Sequence, residues 1–246
     1  MDIHILTLFP NTFRGVFEES IIKRAQEKGL VKIFLHDLRQ FGLGKHKVTD
    51  DAPYGGGAGM IMQIEPIYAA IKKINKNNRK KKIKSRTILL TPQGEVLNEK
   101  KSKKLAKESS LVLICGHYKG LDERIRLNLI DEEISVGDYV LSGGEIAAMT
   151  VVDTVVRLIP KVVGNKESIK LDSFYQNILE GPLYTRPAEF EGMKVPDILL
   201  SGNHEEISKW RRKEALRRTY LKRPELLDTI KLNKEDKQML KEIKKE

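Results

Sequence analysis

The stretch EISVGDYVLSGGEIAAMTVVDTVVRLIPKV, Glu133 to Val162, begins as a strand, breaks at Gly137, turns through Ser142-Gly143-Gly144 and runs into a helix. Along that helix Ala148, Val151, Val152, Val155, Val156 and Ile159 recur at helical spacing and share one arc. Thr150, Asp153, Thr154 and Arg157 occupy the other arc. A strand that ends in a tight turn and feeds a one-sided helix is the repeating unit of an α/β domain. Two further apolar runs precede it, and each also ends in a loop of small or turn residues. RTILL (Arg86–Leu90) enters TPQGE, and SLVLI (Ser110–Ile114) enters CGHYKGLDER. Continuous apolar runs of this kind suit parallel strands buried on both faces. Ligands of open parallel sheets bind outside the carboxyl ends of the strands, which is where all three loops belong.

Working outward, IHILTLF (Ile3–Phe9) reads as a strand ended by Pro10, and Phe13–Gly29 as one helix stopped by the glycine. LVKIFLHDL (Leu30–Leu38) is a further strand. Residues 39–62, polar and glycine-dense, lack the periodicity of an element; a loop of that length inside a domain usually has a function or is disordered. Ile64–Ile74 has helical spacing and leads into KKINKNNRKKKIKSR, read as a solvated basic connector that could also touch phosphates. NEKKSKKLAKES (Asn98–Ser109) reads as a helix. After Val163 the texture changes: GNKESIKLDS is polar and aperiodic. From Asn203 a basic helix starts, with Asn203 and Glu206 spaced as a capping box, and should stop near Pro224. The expected organisation is an α/β domain over residues 1–163, a flexible linker over 164–171 and a small helical domain over 172–246.

The chain of 246 residues carries 45 Lys and Arg against 34 Asp and Glu, a net charge of +11 that favours a polyanionic partner, nucleic acid above all. A lysine-rich background composition would supply part of that excess without any function. The single cysteine, Cys115, excludes an internal disulfide and a cysteine-rich metal site. No apolar run is long enough for a transmembrane helix, and the N-terminus reads as a strand and not as a signal peptide. The expected compartment is the cytoplasm, with no membrane partner.

Glycine-lined loops let backbone groups approach a nucleotide-like ligand closely. Neither the phosphate loop G-x-x-x-x-G-K-[ST] nor a dinucleotide G-x-G-x-x-G after the first strand is present. Each loop alone could be an ordinary turn, and Glu145 could simply suit the helix dipole. Asp153 and Arg157 could be a surface pair worth a few tenths of a kcal/mol, or the arginine could face an anionic oxygen near the loops. Asp172, before Ser173, could merely cap a helix.

Taken together, DDAPYGGGAGM (Asp50–Met60), TPQG, CGHYKGLDERI, ISVGDYVLSGGE, LYTRPAEFEG and SGNHEEISKWRRKEALRRT closely resemble the bacterial-type tRNA (guanine-37-N1)-methyltransferases, collinearly over essentially the whole chain. The resemblance implies a parallel-sheet α/β domain of the SPOUT class with a deep trefoil knot, followed by a small helical C-terminal domain. It implies transfer of a methyl group from S-adenosylmethionine to N1 of guanosine 37 in tRNA, by a homodimer with active sites at the subunit interface. The cofactor residues it implies are Leu90, Thr91, Pro92 and Gln93; Gly116, Tyr118 and Gly120; and Val136, Gly137, Tyr139, Leu141, Gly143 and Gly144. Arg157 and Asp172 match the catalytic arginine and the general base. RNA contacts are expected from Asp50, Gly59, His204, Lys209, Arg211 and Arg212, while Trp210 reads as a core residue.

The match has departures. His117 stands where many relatives have arginine, Lys119 where glutamate is expected, and Glu180 where aspartate is common. The resemblance brings an association with Mg2+, and Lys119 removes one acid from any ion site there, so the metal ligands are left unassigned. The rivals are another SPOUT methyltransferase with a different target, and a non-catalytic RNA-binding module. The match at HEEISKWRRKEALRRT counts against the first, and the intact TPQG and SGG loops with Asp172 and Arg157 count against the second.

Overall fold

Every residue of Ser110–Cys115 is buried, as a strand covered on both faces requires. This run is the middle strand of a five-stranded sheet in the computed structural model, which describes residues 1–164 and 166–246. The chain divides into two compact units, Met1–Gly164 and Asn165–Glu246.

The first unit begins with β1 (Asp2–Thr7), α1 (Arg14–Phe17), α2 (Ser20–Glu27), β2 (Lys32–Asp37) and a ribbon of β3 (Asp50–Asp51) with β4 (Ile61–Met62). It continues through α3 (Ile64–Lys80), β5 (Ser85–Val96), α4 (Glu99–Leu105), β6 (Ser110–Cys115), α5 (Glu123–Leu129), β7 (Glu132–Ser135) and α6 (Glu145–Val156). The main sheet has the order β2-β1-β6-β5-β7, and all its pairings are parallel. This is the mixed α/β architecture with a parallel sheet that the apolar runs predict. Side chains alternate between its faces. Ile3, Ile5, Ile88, Leu90, Leu111 and Leu113 pack with α2 and α6, whereas Leu6, Leu89, Val112 and Ile114 pack with α3 and α5. On α6, Val151, Val152, Val155 and Val156 are buried, each worth about 2 kcal/mol of apolar transfer.

Three local expectations change. Residues 13–29 do not form one helix: Ser20 takes a positive φ of 49°, so the chain breaks between α1 and α2. The basic segment after Ile74 is not a connector, because α3 continues to Lys80. Its anchor is Asn78, which is buried and donates to Ser85 Oγ at 2.6 Å and Ser110 Oγ at 3.2 Å. Within the segment read as a linker, Lys166–Leu171 forms the helix α7.

The second unit holds α7, a ribbon of β8 (Glu189–Phe190) and β9 (Met193–Lys194), then α8 (Asp197–Leu200), α9 (His204–Lys222) and α10 (Lys234–Ile243). Its core gathers Ile178, Ala215, Leu216, Leu240 and Ile243. Asn203 caps α9 by accepting from the Glu206 N–H at 3.3 Å. The other half of the capping box is replaced: the Asn203 N–H donates to Ser201 Oγ, and Glu206 faces Lys209. The helix ends at Lys222, just before Pro224.

His4 Nδ1 lies 3.0 Å from His36 Nε2, and the His4 ring stacks on Phe34. Burial first, then His36, lowers the His4 pKa from 6.5 to about 4. The unfolded chain therefore binds the proton more readily than the folded one. Stability is fully present above pH 6.5 and falls as pH drops toward 4, by about 3 kcal/mol at most. Urea titrations of the wild type and His4→Phe between those pH values should show a shallower slope in the variant; parallel slopes would remove His4 as the cause.

Candidate functional site

At the carboxyl end of β5 the register with β7 slips: both Leu90 and Glu95 pair with Ile134, so residues 91–94 leave the ladder as an excursion. Gly94 brings the excursion back against β7, where an added Cβ would collide with the backbone of Glu133 and Ile134. The return limb is clamped from below. Lys101 Nζ meets Glu95 Oε2 and Glu132 Oε1, both at 2.5 Å. Burial works against the Lys101 charge, but hydrogen bonds to Glu132 and Glu95 outweigh it and raise its pKa.

The loop after β6 meets the start of α6 backbone to backbone. The Gly144 N–H donates to the Gly116 carbonyl at 2.9 Å, and a Cβ on Gly144 would lie 2.6 Å from Cys115 Cα. Glu145 locks this junction. It is buried, accepts from Thr7 Oγ1 at 2.5 Å, and lies 2.7 Å from His117 Nε2. The end of β1, the loop after β6 and the first turn of α6 are thereby joined by one carboxylate. Burial first, with Glu145 second, pushes the Cys115 thiol well above its ordinary pKa, which leaves it an inert core residue.

The loop after β7 turns at Gly137, whose φ of 152° suits glycine; Tyr139 then folds back to donate to the Val136 carbonyl at 3.0 Å. These three loops enclose a cleft of about 300 Å³, at the lower end of the usual size of about 300–1,000 Å³ for small-ligand pockets. Its lining includes every expected cofactor residue: Leu90, Thr91, Pro92, Gln93, Gly116, Tyr118, Gly120, Val136, Gly137, Tyr139, Leu141, Gly143 and Gly144. A Cβ on Gly120 would meet nothing within 4 Å. Backbone and small side chains around a cleft of that volume suit a nucleoside-sized ligand.

The structure also brings in residues that the sequence reading did not assign. Arg126 lines the cleft and donates to Gln93 Oε1 at 2.8 Å and Glu133 Oε2 at 2.7 Å, tying the excursion to β7. The signal for it was the DERIR run directly after the CGHYKG loop. Nothing in the sequence linked Thr7 or Lys101 to the site.

The DDAPYGGGAGM loop joins this side of the unit. The Met62 N–H donates to the Gly120 carbonyl at 3.0 Å, and the Lys119 N–H to the Met60 carbonyl at 3.1 Å. Gly59 faces the Lys119 side chain, and Asp50 hydrogen-bonds Tyr118. Desolvation first and Asp50 second raise the Tyr118 pKa.

The remaining candidates are distributed differently. Arg157 follows the last residue of α6, about 20 Å along the axis from Gly144, and is not among the cleft residues of its own chain. Asp172 belongs to the second unit, immediately after α7. On α9, His204 and Arg211 are exposed. Lys209 pairs with Glu205 at 2.7 Å, and the Arg212 guanidinium is committed to Asp236 through bonds of 2.8 and 2.9 Å. Among the described residues, no three His, Cys, Asp or Glu side chains come together as a metal donor set.

A parallel α/β unit with a glycine-lined cleft beyond its strand ends is of the class suited to holding nucleotide-like small molecules. Comparison narrows the class. The family described as tRNA (Guanine-1)-methyltransferase TrmD matches residues 1–229. The chain is 58% identical to the tRNA (guanine-N(1)-)-methyltransferase of Geobacillus kaustophilus over 100% of its own length and 99% of the relative's. It is 55% identical to the protein of that name from Anoxybacillus flavithermus, over 100% and 99% of the two chains. The Dictyoglomus turgidum protein of the same name is 54% identical, over 99% and 97%. The chain belongs to the tRNA (guanine-1)-methyltransferase TrmD family.

Proposed function

We propose that this chain transfers a methyl group from S-adenosylmethionine to N1 of guanosine 37 in tRNA. The observation that carries the reading is the closure of residues 90–93, 116–120 and 134–144 around one cleft. Family membership supplies the guanine-N1 reaction, and the glycine-lined cleft supplies a place for the adenosyl group. When bound, S-adenosylmethionine supplies an electrophilic methyl group.

What the protein must add is a proton acceptor and charge stabilisation. Guanine N1 carries a proton and is a poor nucleophile until it leaves. Asp172 takes that proton as general base, and because carboxylates are weak bases the removal accompanies methyl transfer. Losing the proton pushes negative charge onto O6, where the Arg157 guanidinium stabilises it. The loops align the cofactor for in-line attack.

Arg157 lies a helix length from the cleft of its own chain, which supports a homodimer in which facing subunits complete each other's sites. We assign the first unit to the cofactor and the second to tRNA, with the loop from Asp50 to Gly59, His204, Lys209 and Arg211 as contacts. Arg212 serves that unit by holding α10 to α9. The SPOUT-type trefoil knot is part of the same reading. It is supported by the strand order and by the backbone bond between Gly144 and Gly116. No helix among the described residues is long and apolar enough to cross a membrane, and the cytoplasm is the proposed site of action.

The test is methyl transfer from labelled S-adenosylmethionine to two tRNA transcripts that differ only in guanosine or adenosine at position 37. Label confined to the guanosine transcript and recovered as 1-methylguanosine is the expected result. Equal labelling of both would move the target, and absent cofactor binding would end the enzyme reading.

A further inference from the structure

Exposed cations are not confined to α9. Four cations of α9 face acids of their own unit: Lys209 faces Glu205, Arg212 Asp236, Lys213 Glu242 and Arg217 Glu214. The last turns of α3 and the turn that follows differ. Lys73, Lys76, Arg79, Lys80, Lys81 and Lys84 are all exposed. Among the described residues the only ion pair on this segment is Lys81 with Asp2, at 3.6 Å.

The segment is also held in place. Ile67, Ala70, Ile71 and Ile74 bury one face of α3 on the sheet, so the charges point outward. The buried Asn78 amide ties the helix end to Ser85 and Ser110. Two buried imidazoles register the local field: Lys73 contributes to the lowered pKa of His36, and Lys81 to that of His4. Surface lysines ordinarily sit among acids of both helix and neighbours, which limits the field they project. Here like charges are packed at helical spacing with almost none of that compensation, a repulsion that a polyanion relieves.

We infer that the C-terminal half of α3 and the turn to Ser85 form a second tRNA-binding surface that grips backbone phosphates away from the reacting base. The inference rests on the tRNA reading above. The 17-residue helix starts two residues after Met62, which bonds Gly120 at the cleft, and extends about 25 Å toward its basic end. Its contacts would therefore fall on a part of the RNA distant from guanosine 37, and would add affinity without sequence information.

The test compares the wild type with the full chain carrying Lys76→Gln, Arg79→Gln, Lys80→Gln and Lys84→Gln. Glutamine keeps helix propensity at exposed positions, so thermal unfolding should be unchanged. Expected are a KM for whole tRNA raised about 10-fold or more, an unchanged kcat at saturating tRNA, and a salt dependence of log affinity shallower by about two or more units. Lys76→Arg, Lys80→Arg and Lys84→Arg together should behave as wild type. Unchanged KM and salt slope in the glutamine variant would overturn the proposal. So would binding to phosphatidylserine vesicles that depends on these residues while tRNA affinity does not. If neither protein methylates tRNA, the catalytic reading fails, while filter-binding affinity and its salt slope still judge the surface by themselves.

Discussion

Asp172→Asn is expected to bind S-adenosylmethionine as the wild type does and to lose about 10²–10⁴-fold in methyl transfer, the usual worth of a positioned general base. The substitution keeps the side chain's shape and removes its ability to accept the N1 proton. Asp172 lies in the unit that contributes none of the cleft's lining residues, which is why cofactor affinity should hold. Calorimetry of cofactor binding and single-turnover transfer to the guanosine 37 transcript measure the two quantities separately. A variant that turns over at the wild-type rate would take Asp172 out of the mechanism. One that fails to bind the cofactor would give the residue a structural part instead.

Gly144→Ala should be strongly damaging for a single added methyl group. The φ of Gly144, −76°, suits any residue, so the requirement is one of space. A Cβ there would stand 2.6 Å from Cys115 Cα and 2.9 Å from Gly116 N, both backbone or backbone-bound atoms with no rotamer to relax into. Relief would require α6 to move off the loop after β6. That motion would break the bond from the Gly144 N–H to the Gly116 carbonyl and pull Glu145 from Thr7 and His117. A loss of about 1–3 kcal/mol in stability is expected, with cofactor binding abolished or severely weakened. Gly15→Ala is the control: its Cβ would meet nothing within 4 Å, and it should be neutral or stabilising by about 0.4–1 kcal/mol. Chemical denaturation and cofactor titration of the two variants decide the matter; equal behaviour would refute the tight junction.

The two substitutions draw on different sources of information. Asp172 is nominated by motif resemblance. Gly144 was nominated by the same resemblance as a cofactor residue, but its part as a packing contact follows only from the approach of α6 to β6. Residue type points to Lys209, Arg211 and Arg212 of α9 as RNA contacts; it does not tell that Arg212 is bound to Asp236, 24 positions later, or Lys213 to Glu242, 29 positions later. The lysines after Ile74 read as a connector because low complexity masks helical spacing; Asn78, bonded to Ser85 and Ser110, decides otherwise.

By itself the sequence determined the parallel α/β class, the strand before each glycine loop, the amphipathic α6 and the end of α9 before Pro224. These rest on local physics: side-chain periodicity, backbone freedom at glycine and the missing N–H of proline. Family membership was legible too, because several collinear motifs constrain a chain far more than any one does. Only the tertiary structure decided the strand order, the slip that ejects residues 91–94, the clamp by Lys101 and the burial of Glu145. It alone showed which cations are already paired. Those features depend on partners brought together across long separations, such as Thr7 and Glu145, 138 positions apart. Pairing at that distance is set by how helices and strands pack, which no periodicity within a short window encodes.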